Sequence, residues 1–243
     1  MPGTISPATG LVKNANSTWL LGRALGTDLS RLLGREVRLA NDANCFALSE
    51  ASDGAAAGAP CVFGVIVGTG TGGGVVVNGR VLTGRNAVAG EWGHNPLPWA
   101  LENERPGPGC WCGKNGCIET FLSGPGLARD HHSATGEKRS AAEIAAAAAA
   151  GDAGAAATLT RHAHRMARAL ASVINVLDPD VIVLGGGLSN LAPLYDAVPR
   201  IWGRWVFSDR VDTPLLPPRW GDSSGVRGAA WLFSDDETPE VLR

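Results

Sequence analysis

Three of the five cysteines fall within eight residues, Cys110-Trp111-Cys112-Gly113-Lys114-Asn115-Gly116-Cys117, and His94 stands sixteen residues upstream of the first. Three thiolates and an imidazole form a common tetrahedral Zn2+ set. Glycines let a short backbone fold round such an ion, and Gly109, Gly113 and Gly116 lie where that fold needs them. A disulfide loop is the competing reading. The odd cysteine count and the lack of a secretory signal favour a metal. Cys45 and Cys61 stand alone and read as small core residues. Two carboxylates, Glu91 and Glu119, bracket this cassette at 91–119, and a closed metal site would hold them facing one another. A third, Asp42, lies in Asn41-Asp42-Ala43-Asn44, between an apolar run at 37–40 and a helix-forming stretch at 45–51. Rigid elements on both sides suit Asp42 to the part of a catalytic carboxylate. At the head of a helix, taken alone, it reads more readily as a cap.

Two glycine-rich stretches offer a second kind of chemistry. Gly68-Thr69-Gly70-Thr71-Gly72-Gly73-Gly74 lies between two apolar runs, 61–67 and 75–77, so it reads as a loop between strands. Such a loop can turn backbone N–H groups toward phosphate oxygens. It lacks the Gly-Lys-Ser/Thr of a Walker A loop and opens no helix as a Rossmann turn would, so a plain tight hairpin stays open. Gly185-Gly186-Gly187 follows the apolar run 181–184 and precedes a helix start, an arrangement that suits an anion or nucleotide.

The elements that must position these residues are legible in part. The spacing predicts a short helix over 28–33, capped by Asp28, striped with Leu29, Leu32 and Leu33 and stopped by Gly34. The stretch 11–20 reads as extended, with polar residues able to reach a ligand, and 37–40 as a strand delivering Asp42. Small residues over 52–59 suggest a hinge. Asn78-Gly79 is a hairpin turn. A helix from 121 to 128 is expected to break near Gly124-Pro125-Gly126. The alanine-rich stretch 140–160 reads as two short helices parted at Gly151-Asp152. Leu159, Ala163, Met166, Leu170, Val173, Ile174 and Leu177 recur at three and four, an amphipathic helix. The run 221–232 reads as a turn into a terminal helix. His131, His132, His162 and His164 lack a ligand-like spacing and are expected at the surface.

Composition excludes more than it assigns. The 243 residues suffice for one large domain or two small ones. A hydrophobic share of 44% with 18% charged is globular. A net charge of −2 leaves no basic footprint for nucleic acid. No apolar run reaches membrane-span length, and no signal peptide precedes the first motif, so a cytoplasmic location is expected.

The cassette E-x-G-H followed by C-x-C-G-x-x-G-C-x-E resembles the sugar kinases of the ROK (repressor/open-reading-frame/kinase) family. The likeness extends along the chain: Lys-Asn-Ala-Asn-Ser-Thr-Trp-Leu at 13–20, Leu-Ala-Asn-Asp-Ala-Asn-Cys at 39–45, Ala-Gly-Glu-Trp-Gly-His-Asn-Pro-Leu-Pro-Trp at 89–99, and Gly-Asp-Ser-Ser-Gly-Val-Arg-Gly-Ala-Ala-Trp-Leu at 221–232. These runs are most like the family's bacterial fructokinase or mannokinase members. The resemblance implies an α/β, actin-like ATPase (ribonuclease H-like) fold of two lobes. Residues 1–59 and a terminal helix at about 223–243 would form the small lobe, and 60–222 the large one. It implies ATP-dependent phosphorylation of a hexose at the 6-hydroxyl, with fructose first and mannose or glucose as alternatives.

In that scheme Asp42 is the general base, and Asn41, Glu91, His94 and Glu119 hold the sugar. Gly68, Thr69, Gly70, Thr71, Gly72 and Gly73, with Gly185, Gly186 and Gly187, hold ATP. Mg2+ serves catalysis, and a structural Zn2+ sits on His94, Cys110, Cys112 and Cys117. A homodimer is expected, with no nucleic-acid or membrane partner. One departure stands out: the family opens with a D-x-G-G-T strand hairpin, and Met1-Pro2-Gly3 aligns inside its small lobe. An N-terminally truncated small lobe with an open sheet edge and an apolar patch is therefore expected, with impaired turnover. Two other readings are a sugar-binding effector domain of a ROK-type repressor and an inactive zinc-binding fragment.

Overall fold

The run 61–67 is apolar at nearly every position, which calls for a strand covered on both faces. The computed structural model, which describes residues 1–233, builds it as the middle strand of a five-stranded mixed sheet. Near the start, β1 (Thr4–Ile5) and β2 (Val12–Lys13) pair antiparallel as a separate ribbon. The main sheet holds β3 (Cys61–Val67), β4 (Thr71–Val77), β5 (Arg80–Val81), β6 (Val181–Gly185) and β7 (Leu215–Leu216) in the order β5-β4-β3-β6-β7. β3 runs antiparallel to β4 and parallel to β6.

The two sheet faces carry two cores. Phe63, Val65, Val67, Val75, Ile182 and Leu184 share one core with Met166, Leu170 and Ile174 of the long helix α6 (Ala153–Leu177). Val62, Val76 and Val183 turn the other way, onto Phe46, Ala47 and Leu48 of α2 (Asp42–Ser52). Glycines let α2 lie close to the strands. A Cβ on Gly64 would meet that of Ala47 at 2.6 Å, one on Gly74 the Ala43 carbonyl at 2.5 Å, and one on Gly185 the Phe46 ring at 2.5 Å. Gly64 and Gly74 are ladder partners, so the gap is continuous across β3 and β4. Helix α8 (Ser224–Ala230) closes on α2 likewise, where a Cβ on Gly228 would overlap the Cys45 carbonyl at 1.7 Å.

Several elements differ from expectation. Helix α1 runs Leu25–Leu33, three residues longer at its start. Asp28 is no cap; it sits in the first turn and accepts from Arg31 at 3.0 Å. Leu32 is 80% exposed and Leu33 is exposed beside it. Residues 37–40 form no strand, because their backbone finds no ladder. Instead the Met1 amino group donates to the Ala40 carbonyl, the Asp42 amide to the Met1 carbonyl, and the Val37 amide to Ser30 Oγ.

The break expected at 124–126 falls at Ser123, between α3 (Ile118–Leu122) and α4 (Gly124–Thr135). Ser123 caps α4 with its side chain, and Pro125 sits in the first turn, where its missing N–H costs nothing. Ser140 and Glu143 form a capping box for α5 (Ala141–Ala149). Asp152 then caps α6, which absorbs both the second alanine helix and the amphipathic stretch. Past Gly186 only a single 3-10 turn, Gly187–Asn190, precedes α7 (Leu194–Trp202). The terminal helix stops at Ala230, with one turn at Trp231–Phe233; 234–243 lie outside the described residues.

His132 and His164 are exposed as expected, but His131 and His162 are buried. Cys45 is buried and Cys61 only half-buried. On the α6 side of the sheet Glu104 forms a buried ionic hub. Its carboxylate takes bonds of 2.8 Å from both Arg165 and Arg168 of α6, and Arg168 also donates to the Trp99 carbonyl. No helix among the described residues is long and apolar enough to cross a membrane.

Candidate active site and metal centre

Asp42 is the first residue of α2, and the cap is its neighbour. Asn41 Oδ1 accepts from the Ala43 and Asn44 amides at 2.8 and 3.3 Å, while its Nδ2 donates to the Gly3 carbonyl at 3.3 Å. Asn41 thus caps the helix, and Asp42 Oδ1 shares only the Ala43 amide, at 3.0 Å. Asp42 is left exposed on a rigid helix start, at the rim of a cavity of about 310 Å3. Asn41, Glu91, His94 and residues 68–72 line the same cavity. Burial pushes the Glu91 carboxyl above its ordinary value, and the like charges of Asp42 and Glu119 push the same way against His94 and Lys13.

The glycine hairpin is tighter than expected. Strand pairing runs on to Val67↔Thr71, so the loop is Gly68-Thr69-Gly70 and the stretch Thr71–Gly74 belongs to β4. Thr71 and Gly72 still face the cavity; Gly73 is buried, with no room for a Cβ beside the Phe63 ring and the Gly90 carbonyl. The Thr71 hydroxyl is buried without a partner. An orphaned donor beside open backbone suits an anionic ligand such as a phosphate. Gly185, Gly186 and Gly187 do not line this cavity. They lie beyond the hairpin, where a Cβ on Gly68 would stand 3.9 Å from the Gly187 amide nitrogen.

The segment carrying Glu91 and His94 is stitched to β4. The Trp92 indole donates to the Gly72 carbonyl at 3.0 Å, and a Cβ on Gly93 would overlap the Thr71 carbonyl at 1.9 Å. The Ile118 amide then bonds the Asn95 carbonyl at 2.9 Å, bringing the cysteine loop alongside. Gly113 (φ 86°) and Gly116 (φ 70°) supply left-handed turns in that loop. The result places His94, Cys110, Cys112 and Cys117 with all ligand atoms within 4.8 Å of one another. Cys112 and Cys117 sulfurs stand 3.6 Å apart, and Cys110 Sγ is 3.5 Å from His94 Nδ1. Tetrahedral Zn2+ with Zn–S of about 2.3 Å and Zn–N of about 2.0 Å needs separations of about 3.8 and 3.6 Å. The donor set fits that ion. With Nδ1 so directed, His94 keeps Nε2 for other use.

Glu119, in the first turn of α3, receives the Thr71 amide at 2.9 Å on one oxygen and the Trp111 indole N–H at 2.8 Å on the other. Sequence reasoning missed Trp111, which lines the cavity with Pro2, Gly3, Asn14 and Asn16. The two asparagines lie in the polar stretch expected to reach a ligand, and Asn14 adopts a left-handed φ of 56°. No signal marked Trp111, because a residue between two metal-ligand candidates reads as a spacer.

Known proteins agree with this architecture. An N-acetyl-D-glucosamine kinase of Vibrio atlanticus is 42% identical over 236 residues, covering 96% of this chain and 78% of its own. The ROK hexokinase of Thermus thermophilus superposes with a TM-score of 0.81 at 34% identity, over 94% of this chain and 75% of that one. A ROK glucokinase of Streptomyces griseus, solved with glucose and AMPPNP, gives 0.80 at 27% identity, over 95% and 78%. The fold is the α/β actin-like ATPase fold. The ROK family model matches residues 1–236, and with these relatives it settles descent: the chain belongs to the ROK family.

Proposed function

We propose that this chain is an ATP-dependent hexose kinase that phosphorylates the 6-hydroxyl. One observation carries the reading. Asp42 is exposed on a capped, rigid helix start, and it shares a cavity with Glu91, His94 and the Gly68–Gly70 hairpin. Asn41, Glu91, His94 and Glu119 would hold the sugar hydroxyls. Asp42 accepts the proton of the attacking hydroxyl as its oxygen bonds the γ-phosphorus and the bridging P–O bond to ADP breaks. Such transfer is loose, so alignment supplies most of the catalysis. Of residues 68–73 and 185–187, the stretches 68–72 and 186–187 would cradle the nucleotide, whereas Gly73 and Gly185 are buried by Phe63 and Phe46. Mg2+ in such reactions neutralises phosphate charge. Mg2+ is usually held by one or two carboxylates together with substrate phosphates, so it would arrive on the nucleotide. Zn2+ on His94, Cys110, Cys112 and Cys117 would be structural.

Fructose is the sugar favoured by the motif runs, whereas the Vibrio relative is named for N-acetyl-D-glucosamine. A panel of fructose, mannose, glucose and N-acetyl-D-glucosamine separates them. We also propose that 1–59 and the terminal helix form one lobe against 60–222. The bond from the Ser224 hydroxyl to Glu50 ties the terminal helix to α2 and supports this. Sedimentation tests the expected homodimer.

Asp42→Asn is the test of the chemistry. Hexose-dependent ADP production should fall by about 10²- to 10⁴-fold, the usual range for losing a general base. Calorimetric hexose affinity should stay within a few fold, since the amide still bonds a ground-state hydroxyl. An unmodified chain that binds hexose with no turnover on any of the four sugars would instead support the effector-domain or the inactive-fragment reading.

A further inference from the structure

Trp111 has no part in the chemistry above, yet its surroundings are specific. It sits between two candidate metal ligands and lines the cavity that holds Asp42 and Glu91, with 56% of its surface exposed. Its ring meets His94 edge-on, centroids 4.8 Å apart at 87°. Its indole N–H donates to Glu119 Oε1 at 2.8 Å. The other Glu119 oxygen takes the Thr71 amide at 2.9 Å, and a Cβ on Gly70 would lie only 2.6 Å from it. Glu119 is thus gripped from two sides, by the metal loop and by the glycine hairpin.

We propose that Trp111 is a positioning residue that aims the Glu119 carboxylate at the hexose. The inference rests on the reading that Glu119 holds the sugar. An ionised carboxylate has about four lone-pair sites. Two N–H donors from different elements occupy two of them and fix the group's rotation, leaving the others for a ligand. Charge-assisted bonds of this kind are short and strong. The indole, braced edge-on by His94, transmits the shape of the metal loop to the sugar site. The binding side of the site therefore depends on a residue that touches neither the phosphates nor the reacting oxygen.

Trp111→Phe keeps the ring and its edge contact but removes the N–H. Calorimetry should show hexose binding weakened about tenfold, the expected loss of one hydrogen bond to a charged group. Zinc per chain and AMPPNP affinity should stay unchanged, which a purely structural role would not predict for a variant with weakened sugar binding. Glu119→Gln is measured beside it. If Glu119→Gln weakens hexose binding but Trp111→Phe leaves it within twofold, the positioning role is wrong while the sugar reading stands. If Glu119→Gln leaves hexose binding unchanged, the sugar reading of Glu119 fails and the inference falls with it. Loss of zinc from Trp111→Phe would make the tryptophan part of the metal fold and overturn the proposal.

Discussion

His162 offers the sharpest test of the packing. It lies on α6, 1% exposed, and both ring nitrogens are buried with no hydrogen-bond partner among the described residues. Burial, with the Arg165 guanidinium beside it, drives its pKa down from the ordinary 6.5 to about 4, against a smaller upward pull from Asp130. The folded protein therefore keeps this imidazole neutral while the unfolded chain takes up a proton. Since the folded value is depressed, the stability is present above about pH 6.5 and is lost as pH falls toward about 4. Linkage between an unfolded pKa of about 6.5 and a folded one of about 4 gives a loss of about 2 kcal/mol between pH 7 and pH 4.5.

Other groups titrate in that window, so the informative quantity is a double difference. Urea unfolding free energies are measured at pH 7 and 4.5 for the parent chain and for His162→Leu. At pH 7 the variant should be equal or more stable, because leucine removes two buried unpaired polar atoms. The drop on acidification should be about 2 kcal/mol smaller in the variant than in the parent. Equal drops in the two proteins would show that His162 is hydrated or paired and that the burial argument is wrong.

Two further outcomes follow from the ionic and metal sites. Glu104 is held at about 2: burial raises it, but bonds from Arg168, Arg165 and the Leu101 amide together outweigh that. Its depressed value adds stability above an ordinary carboxylate pKa of about 4.3 that disappears as pH falls toward about 2. Glu104→Gln, which leaves the buried Arg168 without a carboxylate and Arg165 with Asp130 alone, should cost about 3–5 kcal/mol at pH 7 by denaturant titration, and a loss under 1 kcal/mol would argue for a hydrated hub. Elemental analysis should find one zinc per purified chain and well under one in Cys112→Ser. Full occupancy in that variant would remove Cys112 from the ligand set.

Much of the sheet was legible because its signals are local. The strand 61–67, the turn at Asn78-Gly79 and the strand at 181–184 all appear where apolar runs and turn residues put them. The cysteine cluster was legible because metal ligands need close spacing in a short loop, and His94 joined it by chemistry alone. What failed depended on distant partners. Residues 37–40 look like a strand, yet a strand needs a ladder, and among the described residues only the Met1 backbone bonds alongside. His131 and His162 carried no surface signal either way. Their burial follows from which side of α6 and α4 faces the core, and His131 answers it with a 3.0 Å bond to Thr158.

The glycines teach the same lesson from the other side. A cluster at 68–74 invites a ligand reading, but glycine frees backbone for any close approach, and most of these approaches are internal. Gly70 makes way for Glu119, Gly73 for the Phe63 ring and Gly74 for the first turn of α2. The Gly74 contact, with those of Gly64 and Gly185, fixes how α2 lies on the sheet, and α2 carries Asp42 at its tip. Ligand-binding and packing roles are therefore not alternatives here. The glycines that let the helix sink onto β4 bring its carboxylate to the mouth of the hairpin, where the Thr71 hydroxyl waits unpaired. A methyl group at Gly74 would lift the helix by its collision with the Ala43 carbonyl and move Asp42, the proposed base, away from the hairpin.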